Sequence, residues 1–356
     1  MNILFLIFLI FFSFISIFWT PNLELSLRYS MLLSSQILLS IIIIFITKEN
    51  IIEYIDFLIY IFIFSGIIAY LQIFNILKFR IAYTYEFENI GAFSLFGFNE
   101  FSYIITIFYP LLIIYFPHRN RVIAFCNALS IPILLLFTGS ILGFFSISLE
   151  FILVISMAKK IRNAKVIKTL ILFSFLLLLI CIININYILY LADKYTISIR
   201  VVSQFLTQLQ FYSQNGDPFS YRLDLLRFSL SLIAKSYLLG IGAGGDSFYI
   251  MNAGLPGNTH NWLLEVFVNF GIFIFILYIF IIVDLLYRLK KIFSASNLSY
   301  EIRSIALALF LGLIIIPING MIVSSLIKVN FFWIFYGIVV AFCDKYFYEQ
   351  GNIKYV

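Results

Sequence analysis

Charge is what this sequence has least of: Asp, Glu, Lys and Arg make up 11% of its 356 residues, against about 25% in an average soluble domain. So few charged side chains cannot coat a water-facing surface, and an apolar share of 63% equally excludes a disordered chain. Histidine is nearly absent as well. The two present, His118 and His260, stand far apart with no cysteine or second histidine near either, so no recognisable metal-ligand spacing exists and no metal or cofactor is expected. Three cysteines, Cys126, Cys181 and Cys343, all sit inside apolar stretches and supply no disulfide framework. No internal repeat, low-complexity tract or soluble appendage interrupts the chain. The formal net charge of +6 could by itself suit nucleic acid, but the positives fall in short clusters between apolar runs. That pattern is one of loops between membrane spans, and no nucleic-acid partner is expected.

What the chain has in abundance is long apolar runs. A helical span needs roughly 20 residues, and about ten such runs lie near 3–20, 28–47, 54–75, 101–116, 121–138, 140–158, 169–190, 262–286, 304–320 and 329–344. They are too long and too evenly apolar for strands, and a membrane barrel would alternate with a period of two. The expected fold is therefore all-α: one polytopic transmembrane helix bundle over residues 1–356. Residues 3–19 lack a basic leader and a small-x-small cleavage site, so they read as a retained first span.

Lys and Arg orient the bundle. With the long segment 191–261 outside and strict alternation, fourteen of the 23 positives fall in inner loops and four in short outer ones, the other five lying in the long loop. Both termini come out cytoplasmic. Two outer segments are long enough for chemistry, 76–100 and the loop 191–261.

Within that loop Asp217-Pro218 suits a helix start. Apolar Leu223, Leu226, Leu230 and Ile233 then recur at helical spacing, which predicts an amphipathic helix lying along the interface or packed on the bundle. Gly240–Gly245 ends it, and a second turn, Gly254-Leu-Pro-Gly-Asn258, leads into Thr259-His260-Asn261 and the next span. Arg227 has Asp224 three positions away as a partner, whereas Arg222 has no acid three or four positions distant. An unpaired arginine beside a membrane suits an anion such as phosphate; it equally suits a snorkelling surface role. His260 falls in the first turn of a helix, whose positive end favours a neutral imidazole able to accept a proton. Its alternative role is to hydrogen-bond in the headgroup layer. His118, within Pro117-His-Arg-Asn-Arg121, reads as part of a solvated basic turn.

The GIGAGG run contains a G-x-G but follows a helix, so it fails as a dinucleotide fingerprint and reads as a turn permitting close backbone approach to a ligand, notably at Gly242 and Gly244. Glu86-Phe-Glu88 could be half of a metal site, but no second acidic pair or histidine completes it. Glu150 falls mid-span, where a carboxyl is either functional or protonated and hydrogen-bonded to a neighbouring helix. Trp19 and Trp262, near span ends, read as interfacial anchors.

These residues together resemble the O-antigen ligase/polymerase superfamily. The resemblance is carried by Ser220-Tyr-Arg222, Leu238-Leu-Gly-Ile-Gly-Ala-Gly244, Thr259-His-Asn-Trp-Leu-Leu-Glu265 and Asn269-Phe-Gly271, in that order and on one side of the membrane. Weaker likenesses lie at Gly91–Ser102 and at Thr138-Gly-Ser140. The wording from Thr259 to Gly271 is especially like polymerases of Gram-positive teichuronic acid and capsule clusters. One departure stands out: where the family often carries arginine after Thr-x-Ser, this chain has Ile141, leaving that role absent or supplied by Arg200 or Arg227.

The resemblance implies a glycosyltransferase of the bacterial cytoplasmic membrane, acting at its outer face on a glycan carried by undecaprenyl diphosphate. Arg222 would hold the diphosphate and His260 would take the acceptor's proton, with Arg200, Arg227, Asn261, Glu265, Gly242 and Gly244 lining the substrate site. A polymerase is the first reading and a ligase moving finished chains is its rival. A transporter of lipid-linked sugars is the third, although the polar residues concentrate in one outer loop, not at the midplane. Expected partners are the lipid-linked donor, the glycan acceptor, membrane lipids, and a chain-length regulator and flippase.

Overall fold

The computed structural model describes residues 2–73, 98–138, 141–157, 218–255, 259, 261–321, 325 and 329–352. Among them every regular element is a helix: α1 (Asn2–Ile15), α2 (Leu23–Thr47), α3 (Ile51–Ile73), α4 (Phe98–Pro110), α5 (Arg121–Thr138), α6 (Ile141–Met157), α7 (Pro218–Lys235), α8 (Gly245–Asn252), α9 (Trp262–Ser294), α10 (Tyr300–Asn319) and α11 (Asn330–Asn352). The chain is a polytopic helical bundle, and six of its described helical stretches are long and apolar enough to cross a membrane. Helices at 121–135 and 145–157 are apolar but shorter, α11 is a further helix, and the run expected at 169–190 lies outside the described residues. The outward side chains fit lipid: α1 exposes Leu4 and Phe11, and Phe18 just beyond it is 90% exposed.

The chain divides into two compact units. The first comprises residues 1–51, 217–292 and 316–356. Here α2 is the axis. Asn22 caps it, its side chain accepting from the Leu25 N–H at 2.9 Å, and no Gly or Pro interrupts its 25 residues. Its buried serines let neighbours approach closely, as small residues do between membrane helices. Ser30 donates to the Ser13 carbonyl of α1 at 3.1 Å, and Ser40 to the Trp333 carbonyl of α11 at 2.9 Å.

The most consequential feature of this unit is a break in α9. Gly271 has φ 78° and ψ −179°, so the apolar run expected as one span is two helices joined at a kink. In an unbroken helix the Val268 carbonyl would accept from Ile272. Instead Val268 accepts from Ile241 at 2.9 Å and Asn269 from Gly242 at 3.0 Å, while Ile272 donates to the Leu238 carbonyl at 2.8 Å. The glycine-rich turn thus supplies the backbone partners that the break removes. Glycine is required on both sides. A Cβ on Gly240 would stand 2.6 Å from the Gly271 nitrogen, and one on Gly271 would collide with the Leu239 carbonyl.

The second unit comprises residues 52–216 and 293–315. Its described core is α4, which continues past Pro110 through a wide turn at 111–115 and a tight one at 116–118. Proline removes one backbone donor there, and a local widening is the common accommodation. The loop 117–121 is not simply a solvated basic turn. Arg119 pairs with Asp56 at 3.1 Å and Glu301 at 2.8 Å, Tyr115 donates to Asp56 at 2.6 Å, and His118 Nε2 lies 3.1 Å from Ser304 Oγ. The Tyr115 hydroxyl bond, and beyond it the attraction of Asp56 and Glu301, raises the Arg119 pKa above its ordinary value. The three helix ends joined here are ones that alternation assigns to a single membrane face.

Two glycines with positive φ separate strain from crowding. Gly271→Ala should destabilise by more than the backbone strain of about 1–3 kcal/mol alone, because its Cβ meets backbone. Gly254→Ala, with φ 72° and open space around it, should cost only that strain. Thermal unfolding in detergent checks the pair, and equal losses would contradict the close crossing at Gly271.

Candidate functional site

The loop that carries the suspected chemistry is anchored by α7. It starts at Pro218 as expected, but its buried face differs from the expected stripe. Leu225, Ser229, Leu232 and Ile233 are buried, whereas Leu223 and Leu230 are exposed. The reason is what α7 packs against: Leu232 and Ile233 lie on Val268 of α9, with Phe228, Ile241, Leu264 and Phe267 around them. The displaced leucines form an outward apolar edge with Tyr237, Leu238 and Leu239, suited to the lipid interface. At its end Tyr237 and Leu238 take left-handed φ values of 52° and 66°, and the Leu238 N–H reaches back to the Ile233 carbonyl at 3.1 Å.

From there the turn runs across the first unit's interior. Gly242, at φ 89°, passes so close to α1's end that a Cβ would stand 2.7 Å from the Ser16 carbonyl. Its successor Ala243 donates to the Ser16 hydroxyl at 2.9 Å. Gly244, at φ 70°, opens α8 against Tyr29 of α2. Close backbone approach is therefore present at both glycines, and the groups approached are the chain's own.

Beneath the turn lies a buried polar chain. Asn269, 0% exposed, accepts from the Asp246 N–H at 3.0 Å and donates to the Asp246 carboxylate at 3.0 Å. It also donates to the Tyr29 hydroxyl at 3.4 Å, which donates to Glu265 Oε1 at 3.1 Å. Ser325 donates to the same oxygen at 2.7 Å. Glu265 is 2% exposed and Asp246 0%. Four segments distant in sequence are thus tied at the level where α9 begins and breaks. A cavity of about 20 Å³ adjoins Glu265, lined among others by Leu9, Leu33, Trp262, Tyr278 and Trp333. It has room for a single water and none for a sugar ring.

Asn261 is the cap of α9: its side-chain oxygen accepts from Leu263 at 3.1 Å and Leu264 at 3.3 Å, and its carbonyl accepts from the Thr259 hydroxyl at 3.0 Å. Trp262 is not an interfacial anchor. It is 3% exposed, packed edge-to-face on Tyr278 at 4.6 Å and against Gly320, where any Cβ would strike its ring. Only a glycine at the end of α10 leaves the indole that space.

Of the expected charged groups, Arg222 and Arg227 are described and both stand exposed on α7. Arg227 pairs with Asp224 at 3.6 Å, while Arg222 has no ion pair among the described residues. His260, Arg200, Glu86 and Glu88 lie outside the described residues, and no group of ligands for a metal occurs among those described. Sequence reasoning had not singled out Tyr29, Asp246 or Ser325. Asn269 appeared only as a motif letter, and the one available signal was an acid, Asp246, directly after the glycine run.

Comparison with known proteins gives a partial match to one family and one relative. Residues 125–279 match the O-antigen ligase family. Over 125 residues the chain is 29% identical to the teichuronic acid biosynthesis protein TuaE of Bacillus subtilis (strain 168), a stretch covering 34% of this chain and 25% of that protein. The chain therefore spans about a quarter of the length of this curated relative. No solved structure matches. Both matches bear out the resemblance to the O-antigen ligase/polymerase superfamily, and the stretch Ser220–Gly271 lies wholly inside the family match.

The polar chain is testable without knowing the substrate. A double-mutant cycle of Asp246→Ala and Asn269→Ala should give a coupling of about 0.5–3 kcal/mol by thermal unfolding. The exposed pair Asp224 and Arg227 should give at most about 1 kcal/mol. Additive losses at Asp246 and Asn269 would contradict the lock.

Proposed function

With the O-antigen ligase/polymerase superfamily as the premise, we propose that this protein is a membrane glycosyltransferase joining lipid-linked repeat units into a surface polysaccharide. The donor is a glycan on undecaprenyl diphosphate and the acceptor is a growing glycan. The acceptor hydroxyl oxygen bonds to the donor's anomeric carbon. The bond from that carbon to the diphosphate oxygen breaks with its electron pair, and undecaprenyl diphosphate leaves. His260 takes the hydroxyl proton. A diphosphate is already a good leaving group, so the enzyme needs cations and a base more than an acid.

Arg222 carries this reading. It is the exposed arginine of α7 with no ion pair among the described residues, five residues from an arginine that has one. Near an interface of low dielectric its attraction to a diphosphate is far stronger than in water. Arg227 and Arg200 add cationic charge for the anionic donor. Asn261 fixes the helix that follows His260 in the chain. Gly242, Gly244 and Glu265 serve the substrate by holding the turn and α9 in register. The loop works on the extracytoplasmic side of the cytoplasmic membrane, with both termini in the cytoplasm, served by a flippase and a chain-length regulator. A ligase is the second reading, favoured by the description of the matched family, and uses the same donor half of the site.

The test is the length of undecaprenyl-linked glycans, by mass spectrometry, in cells lacking the protein. Single repeat units should accumulate and be cleared by the wild-type gene. Arg222→Ala and His260→Ala copies, expressed normally, should not clear them; loss of a general base alone costs about 10²–10⁴ in rate. Long lipid-linked chains would assign a ligase. An unchanged glycan profile would overturn the proposal.

A further inference from the structure

Away from the loop, one acidic side chain is unused by this chemistry. Glu150, in α6 of the second unit, is 0% exposed, and neither of its carboxyl oxygens has a hydrogen-bond partner among the described residues. Ser146 precedes it by one turn on the same helix face, equally buried, with its hydroxyl also unpartnered among the described residues. The neighbouring α4 packs on α6 through Tyr109 and Phe151, ring centroids 5.8 Å apart, and carries Tyr103, whose buried hydroxyl is unpartnered too among the described residues.

Among the described residues, the titratable groups on α4 and α5, the helices with the strongest contacts to α6, are Glu100, Tyr103 and Tyr109 on α4 and Arg121 and Cys126 on α5. Tyr109 is committed to the Ala128 carbonyl at 2.8 Å, while Arg121 and Cys126 are exposed. No ion pair reaches Glu150 among the described residues. Nor is it hydrogen-bonded to a neighbouring helix among the described residues. An ionised carboxylate in such surroundings is untenable without a compensating positive charge.

We propose that Glu150, with the Ser146 hydroxyl beside it, is a binding site for one small monovalent cation, either a proton or a sodium ion. A single carboxylate balances a single positive charge. The Ser146 hydroxyl is neutral, so a divalent ion would leave net charge in an apolar interior. Protonation or a sodium ion each restores neutrality. This site stands apart from the glycosyl-transfer reading and does not rest on it.

Dicyclohexylcarbodiimide, an apolar reagent that modifies protonated carboxyls, tests it on the full chain in native membrane vesicles, with peptide mass mapping as the readout. The adduct should form at Glu150, fade as pH is raised, and vanish in Glu150→Gln. Protection by sodium chloride but not potassium chloride would assign sodium; insensitivity to both would assign the proton. Absence of the adduct at every pH would overturn the site. A second measurement covers a reagent that fails to reach it. Glu150→Gln keeps the shape without the charge, so its melting temperature in detergent should stay within a few degrees of wild type. A large fall, rescued by Glu150→Asp, would show a paired carboxylate and overturn the proposal.

Discussion

A broken transmembrane helix leaves backbone groups without partners in a place where water cannot supply them. At Gly271 the α9 helix turns through a left-handed residue, and the ladder bonds on either side are lost. The segment Leu238–Gly242 takes their place with three backbone hydrogen bonds to residues 268–272. In an apolar interior each unsatisfied group would cost several kcal/mol, so this crossing sets where the loop can lie. The path of α7, the opening of α8 and the start of α9 all follow from it.

The buried polar chain makes that arrangement specific. Backbone pairing alone would tolerate some sliding, but Asn269 presents one acceptor and one donor edge to Asp246 and so admits a single register. Tyr29 passes the connection to Glu265, and Ser325 closes it. Two acids this deeply buried are stabilising only while every donor facing them stays in place. The network is therefore a device for precision at the start of α9, where Asn261 caps the helix. It spans α2, α8, α9 and the segment before α11, so it ties together parts of the first unit that are remote in the chain.

The sequence and the structure agree where the physics is local or compositional. Helical class follows from the length and evenness of the apolar runs, and the start of α7 follows from Asp217-Pro218. The Asp224 and Arg227 pair follows from a spacing of three. Agreement ends where one element decides the fate of another. Ile233 of the expected stripe is buried on Val268, but Leu223 and Leu230 of the same stripe stay exposed while Leu232 joins Ile233 there. The 262–286 run has no proline to announce a break, and a lone glycine in an apolar span is ordinary until Leu238–Gly242 is known to cross it. Trp262 has the composition of an interfacial anchor, and only Gly320, nearly sixty residues on, reveals the slot that buries it. Tyr29 and Ser325 carry no local signature at all, because their importance is the meeting of distant segments.

Hydrogen–deuterium exchange on the wild-type protein in a bilayer mimic tests the crossing most directly. The account predicts slow exchange at the amides of Ile241, Gly242, Ala243, Asp246 and Ile272, comparable to the middle of α2, although four of these five lie in or beside a glycine-rich turn. Exchange at those amides as fast as in an open surface loop would contradict it.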